Sequence, residues 1–300
     1  LQAYGVGQEL QQQCAADWEH CSNGQGDGDR VTQLLQARVH SLQRAGRLPL
    51  AGVGMREAQQ LQASLIPCLR EWLQRRQDFP RAVERMRLHF THAGVTVEDW
   101  LDQLWAPAAA VEAFAPLWLH MDPRDVLNRK RELRKDKLLP LYVRSLVAAA
   151  SGVEIQGVVV GRDTALHLQP MAPAAAQAAL CTLLDIWLQG QRQPLPLPAR
   201  TGMAWVWDSE EAAAQTYEGG FRTPGECEDM CWQRVYPDFE ALLADGNLPA
   251  LAEAVYGPMQ DWITQCVEVV GWSHAKAQGV NARRNATCLT PAVSLCTAAA

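Results

Sequence analysis

Val153-Glu-Ile-Gln-Gly-Val-Val-Val160 runs through Gly161-Arg-Asp163 into Ala165-Leu-His-Leu168. The first run is rich in β-branched residues, the glycine-led tripeptide supplies a turn, and the second run returns, so the stretch reads as a pair of strands. Helical signals stand on either side. Upstream, Leu138, Leu141, Tyr142, Leu146 and Val147 fall at helical spacing. Downstream, Pro173 opens a segment holding Leu180, Leu183, Leu184, Trp187 and Leu188, and Gly190 is placed to end it. A helix, a hairpin and a helix in succession predict an α/β fold.

Further upstream, Leu34, Leu35, Val39 and Leu42 form one helical stripe, and Leu61, Leu65, Leu69, Trp72 and Leu73 form another. The segment Gly46–Gly54 breaks the two. Residues 81–90 alternate in part and read as a strand or a short connector. Val97, Trp100, Leu101, Leu104 and Trp105 follow a spacing of i, i+3, i+4, i+7, i+8 and predict a packed helix. Trp205-Val-Trp207 reads as a strand, Glu210–Tyr217 as a helix, and Leu251–Cys266 as a last helix. After Gly271 the periodicity weakens.

The most charged stretch begins at Asp122-Pro123, which reads as a helix cap followed by a first-turn proline. From 124 to 137 seven cations face three acids, a local excess of four positive charges. Arg124, Arg129, Lys130, Arg134 and Lys137 are the candidate DNA-binding residues, because clustered Lys and Arg supply the sequence-independent part of DNA affinity. On a helix, some of them share a face. A solvated helix end held by pairs such as Asp125–Arg129 accounts for the residues equally well.

Composition bounds the function. The chain has 300 residues, 48% of them hydrophobic, and a net charge of −6, so any contact with nucleic acid must be local. Eleven Trp are many for this length and serve as core side chains or as stacking platforms for bases. No run of about 18 apolar residues suggests a membrane span, and no apolar signal core opens the chain, so a cytoplasmic location is expected. The first residue is Leu1, so motifs absent here can lie outside it. Nine scattered Cys fit neither a disulfide scaffold nor, with only Cys227 and Cys231 close together, a zinc site. There is no phosphate-binding glycine loop and no nucleophile elbow, and the seven His are far apart. No cofactor or metal site is therefore expected.

Several segments in order resemble the gamma subunit of exodeoxyribonuclease V, the RecC family, in its C-terminal region. They are Tyr4–Leu10, Ser41–Gly54, Lys135–Gly152, Leu166–Pro173 continuing through Leu183–Gly190 into Pro194–Pro198, Tyr217–Gly220 and Ala252–Met259. The resemblance implies a helix-rich α/β core of the restriction-endonuclease-like, PD-(D/E)XK type with a degenerate active site. A helix at 126–149, strands at 153–169, a helix at 173–189 and a strand near 203–207 fit that fold. One core strand is not separately visible unless 153–160 contains two. The implied organisation is a helical segment at 1–80 joining a helicase-like part upstream, a nuclease-like domain at 81–270, and an atypical, disordered tail at 271–300.

Active members of such a fold place an Asp on the first arm of a hairpin and Asp/Glu-x-Lys at the end of the second, and the carboxylates hold Mg²⁺. Here the arms read Gly157-Val-Val-Val160 and Leu168-Gln-Pro170, with Asp163 in the turn. The resemblance thus implies a non-catalytic bacterial subunit. Its partners would be the alpha (helicase) and beta (helicase/nuclease) subunits, double-stranded DNA ends and unwound single strands. ATP and Mg²⁺ would be used in the other chains. Two alternatives stay open: a scaffold with no DNA contact, and a nuclease with displaced ligands at Glu226, Glu228 and Asp229.

Overall fold

A computed structural model describes residues 27–49, 51–108, 116–221 and 223–272. Among the described residues two helices come first, α1 (Asp27–Arg44) and α2 (Ala51–Asp78). Val31, Leu35, Val39 and Leu42 recur every three or four residues and bury one face of α1. In α2 the same spacing buries Leu65, Cys68, Leu69, Trp72 and Leu73. The junction is tight. A Cβ at Gly54 would sit 1.8 Å from the Pro49 carbonyl oxygen, so only glycine fits there.

Strands β1 (Arg81–Val83), β2 (Met86–His92), β3 (Val95–Leu101), β4 (Leu104–Ala106) and β5 (Leu117–Met121) follow. Helix α3 (Lys135–Ala150) leads to β6 (Gln156–Val160) and β7 (Ala165–Leu168), and α4 (Pro173–Gly190) closes this part. Short helices α5 (Ala199–Trp207), α6 (Glu210–Glu218), α7 (Met230–Val235) and α8 (Phe239–Ala244) precede α9 (Leu248–Cys266). A two-residue ribbon, β8 (Gly219–Gly220) and β9 (Thr223–Pro224), lies between α6 and α7, and β10 (Val267–Val269) follows α9.

Among the described residues six strands make one mixed sheet in the order β1-β4-β5-β6-β7-β10. Only β5 and β6 are parallel, with Leu117 opposite Gln156 and Met121 opposite Val160, and α3 lies in the connection between them. Alternation along the strands loads both faces. Trp105, Leu117, Leu119, Met121, Val158 and Val160 pack with α1 and α2. Leu104, Trp118, Val159, Leu166 and Leu168 pack with α3, α4 and α9. The result is a helix–sheet–helix sandwich, and residues on both sides of position 80 share one core. A smaller cluster, centred on Tyr217, Phe239, Leu242 and Leu248, joins α6 and α8 to the start of α9. Among the described residues no helix is long and apolar enough to cross a membrane.

The hairpin at 156–168 and the helix at 173–189 stand where the sequence puts them, and the helix before the hairpin fills only the later part of its expected span, 126–149. Residues 81–90 take in β1 and most of β2, while β4, β5 and β10 are strands that the sequence reading did not single out. Three expectations are overturned. Residues 97–105 are the end of β3 and the start of β4, separated by Asp102 and Gln103, and not a helix. Ala93 and Gly94 both have positive φ, so a two-residue turn folds β3 back on β2. Leu104 and Trp105 then face opposite layers.

Trp205–Trp207 lies in helix α5, not in a strand. Pro198 starts that helix, and Glu226 accepts hydrogen bonds from the Arg200 and Thr201 amides in its first turn. Gly202 brings it against Tyr256, where a Cβ would meet the ring at 2.7 Å. Finally, the basic stretch is not the first half of a helix, because α3 begins only at Lys135. Residues 273–300 and the segment Tyr4–Leu10 lie outside the described residues.

Candidate nucleic-acid interface

Residues 122–134 leave the C-terminal end of β5 and reach α3 as a loop clamped to the β6–β7 turn. Its base is buried. The Asp122 amide donates to the Val160 carbonyl at 2.9 Å, and the Asp122 carboxylate, 2% exposed, takes both Nε (2.7 Å) and Nη2 (2.5 Å) of Arg124. Asp122 Oδ1 also accepts from the Arg124 amide at 3.1 Å, a cap-type bond, but no helix follows it. The Arg162 amide donates to the Arg124 carbonyl at 3.0 Å, and the Arg162 guanidinium pairs with Asp125. The Asp125–Arg129 pair of the helical reading is therefore absent. Asp163, in the turn, accepts from the Val126 and Leu127 amides, each at 2.9 Å. Gly161 leaves room for this docking, since a Cβ there would meet Val126 at 2.9 Å.

The tip of the loop is pinned separately. Leu127 and Leu133 bridge antiparallel. The Asn128 side-chain oxygen accepts from the Lys130 (2.8 Å) and Glu132 (3.0 Å) amides, and its Nδ2 donates to the Glu132 carboxylate at 2.8 Å. Such local side-chain bonds compete with helix, and Arg131, at φ +64°, lies outside helical conformation.

Three consecutive cations, Arg129, Lys130 and Arg131, are exposed on this tip. None of them makes an ion pair with a described residue, whereas Asp122 pairs with Arg124, Asp125 with Arg162 and Asp136 with Lys137 at 2.9 Å, and Glu132 is bonded to the neutral Asn128 side chain. Lys137 and Arg134 help hold the Asp136 carboxyl below its usual range against the opposing effect of burial. The five sequence candidates thus separate. Arg129 and Lys130 reach solvent together, with Arg131 as the member the sequence reading left out. Arg124 is committed to Asp122, and Arg134 and Lys137 flank Asp136 at the start of α3.

The other expected chemistry is accounted for as well. Glu226 caps α5 and also accepts from the Thr201 hydroxyl at 2.8 Å, Glu228 accepts from the Gly225 amide at 3.0 Å, and Asp229 caps α7 through the Cys231 amide at 2.8 Å. Neither arm of the β6–β7 hairpin carries a carboxylate. The neighbouring pair of antiparallel strands, β4 and β5, ends in His120-Met-Asp122. There His120 stacks on Trp118 with ring centroids 5.4 Å apart, and Asp122 is held by Arg124. Among the described residues no group of three or more His, Cys, Asp or Glu could hold a metal ion. Of the tryptophans, Trp72, Trp105, Trp118 and Trp262 are core, while Trp100 and Trp187 are exposed.

A family model described as the RecC C-terminal domain matches residues 1–210. The chain belongs to that family. A search of curated proteins found no significant match. The span shared with the RecC C-terminal domain takes in both helices ahead of the sheet, the basic loop, the β6–β7 hairpin and α4. Two of the segments that carried the sequence resemblance, Tyr217–Gly220 and Ala252–Met259, lie beyond it.

Proposed function

We propose that this chain is a non-catalytic, DNA-handling part of a RecBCD-type assembly, built on a nuclease-like core without catalytic carboxylates. The family match makes it a RecC-type component of the RecBCD complex in DNA repair. The finer reading, contact with double-stranded ends and unwound strands, is carried by one observation. Arg129, Lys130 and Arg131 stand exposed and without an ion pair among the described residues, while Asp122 and Asp125 are paired with other arginines and Glu132 is held by Asn128. A phosphate backbone is the ligand that such a cluster fits, because it exchanges condensed counterions for fixed cations.

A lack of catalysis fits the sheet. The topology, with a leading helix, antiparallel strands, a helix and then a parallel strand, suits the PD-(D/E)XK-type arrangement that the resemblance implies. The positions that would hold Mg²⁺ carry valines on one hairpin and a neutral His with an Arg-clamped Asp on the other. Activities that need ATP or Mg²⁺ are assigned to the helicase and helicase/nuclease partners.

A forked duplex titrated over a salt series tests the reading, with an Arg129→Ala/Lys130→Ala/Arg131→Ala variant beside the parent. Removing three cations that each neutralise a phosphate should lower the slope of log affinity against log salt by roughly 2–3. Equal binding by the two proteins would refute DNA contact through this loop. Mg²⁺-dependent cleavage by the parent would refute the non-catalytic assignment. The alternative of a pure docking scaffold is favoured by the exposed Trp187, Met230 and Phe221, and loss of assembly without loss of DNA binding in their Ala variants would support it.

A further inference from the structure

We infer that Asp163 is a positioning residue for nucleic-acid phosphate contact, holding the basic loop from behind with no contact of its own, and that Asn128 does the same at the tip. The inference rests on the DNA-handling reading above. Both Asp163 oxygens are taken by loop amides, Val126 and Leu127. The carboxylate therefore fixes two successive residues of the loop to the rigid β6–β7 turn. Asn128 then fixes Lys130 and Glu132, the residues on either side of Arg131. Between these two anchors the three cations have little backbone freedom left to lose on binding, which is how preorganisation raises affinity.

The sign of the effect separates positioning from charge. Asp163 is an acid close to a basic cluster, so simple electrostatics makes its neutralisation favourable for DNA. Positioning makes it unfavourable, because the two amides bond to different oxygens of the carboxylate, and an amide in its place turns one of those oxygens into an NH2 donor that faces an N–H group. The salt slope adds a second sign. A loosened loop still carries its three cations and neutralises the same phosphates, so the slope stays and only the affinity falls.

The test is a forked-duplex titration over a salt series with the parent chain, Asp163→Asn, Asn128→Ala and the triple Ala variant, each checked by thermal unfolding. The expected result is that Asp163→Asn and Asn128→Ala each bind about tenfold more weakly at every salt concentration with the parent's slope. The triple variant should show a shallower slope. Asp163→Asn binding as tightly as the parent, or more tightly, while the triple variant weakens, overturns the positioning role and leaves the DNA reading standing. Failure of the parent to bind, or of the triple variant to weaken, removes the DNA reading and this inference with it. Should Asp163→Asn unfold, Asn128→Ala decides, since Asn128 is exposed and outside the core. Parent-like affinity in that variant overturns the proposal.

Discussion

Replacing His120 by Gln should remove a specific part of this protein's acid sensitivity. His120 is buried on β5, stacked on Trp118, with Nδ1 3.1 Å from the Gln103 side-chain oxygen. Burial pushes the imidazole down to about 4. The Asp122 and Asp102 carboxylates act against that shift, and Arg144 and Arg124 act with it. In the unfolded chain the ring titrates near 6.5, so the unfolded state takes the proton first. Native stability is therefore intact above about pH 6.5 and is lost as the pH falls toward 4. At about 1.4 kcal/mol per unit, the loss from this one group is roughly 2 kcal/mol at pH 5 and about 3 kcal/mol at pH 4. Urea unfolding of the parent and His120→Gln at pH 7 and pH 5 isolates the effect, because the carboxylates contribute alike in both. The parent should lose about 2 kcal/mol more than the variant over that interval. A difference between the two that does not change with pH would refute the buried neutral imidazole.

Three further outcomes follow from packing and can be read by chemical denaturation. Arg76 is buried with its guanidinium carbon 3.3 Å from the Trp105 ring centroid, and it donates to the Phe79 and Pro80 carbonyls at 3.0 Å each. Arg76→Lys should cost about 2–3 kcal/mol, since an ammonium cannot both lie flat on the indole and reach two carbonyls. Gly54→Ala should cost about 1–3 kcal/mol through the clash with Pro49, while Gly52→Ala, with open space around its Cβ, should be neutral or slightly stabilising. In a double-mutant cycle, Arg124→Ala and Asp122→Asn should couple by about 1–3 kcal/mol, because Arg124→Ala strands a buried carboxylate that Asp122→Asn has already neutralised.

The β6–β7 hairpin was legible because β-branched residues and a glycine-led turn have few other uses. The helices α1 and α2 were legible because each buries a single apolar stripe in the core on one face of the sheet. The central strand β5 was not. Leu117-Trp-Leu-His-Met121 is buried throughout and shows no alternation, and a short apolar run of that kind does not distinguish strand from helix. The failure at 97–105 has a different origin. Residues of two strands on opposite faces happened to fall at helical intervals, and the Ala93-Gly94 turn that decides the matter uses an alanine with positive φ, which no propensity favours. The basic stretch was found by composition, but its form depends on Asp163, about thirty-five residues away in the chain, and no local pattern announces that bond.

The position of that bond also links the sheet to the loop. β5 and β6 run parallel, so their C-terminal ends meet at one edge, and the chain leaving β5 must cross the β6–β7 turn on its way to α3. At that crossing Asp122, Asp125 and Asp163 all lie within one short region, an arrangement that would repel if left unbalanced. Each is balanced by a different means: Asp122 by Arg124, Asp125 by Arg162, and Asp163 by two amides. Arg124 and Arg162 are thereby drawn inward as partners of acids, and the cations beyond them, at 129–131, are the ones left facing solvent. The same acids that stand nearest the end of the central strands thus serve to build a loop whose tip carries three exposed cations against the single acid Glu132, which is held by Asn128. A phosphate approaching that edge meets the three exposed cations of the tip with Asp122 and Asp125 already paired to arginines behind them.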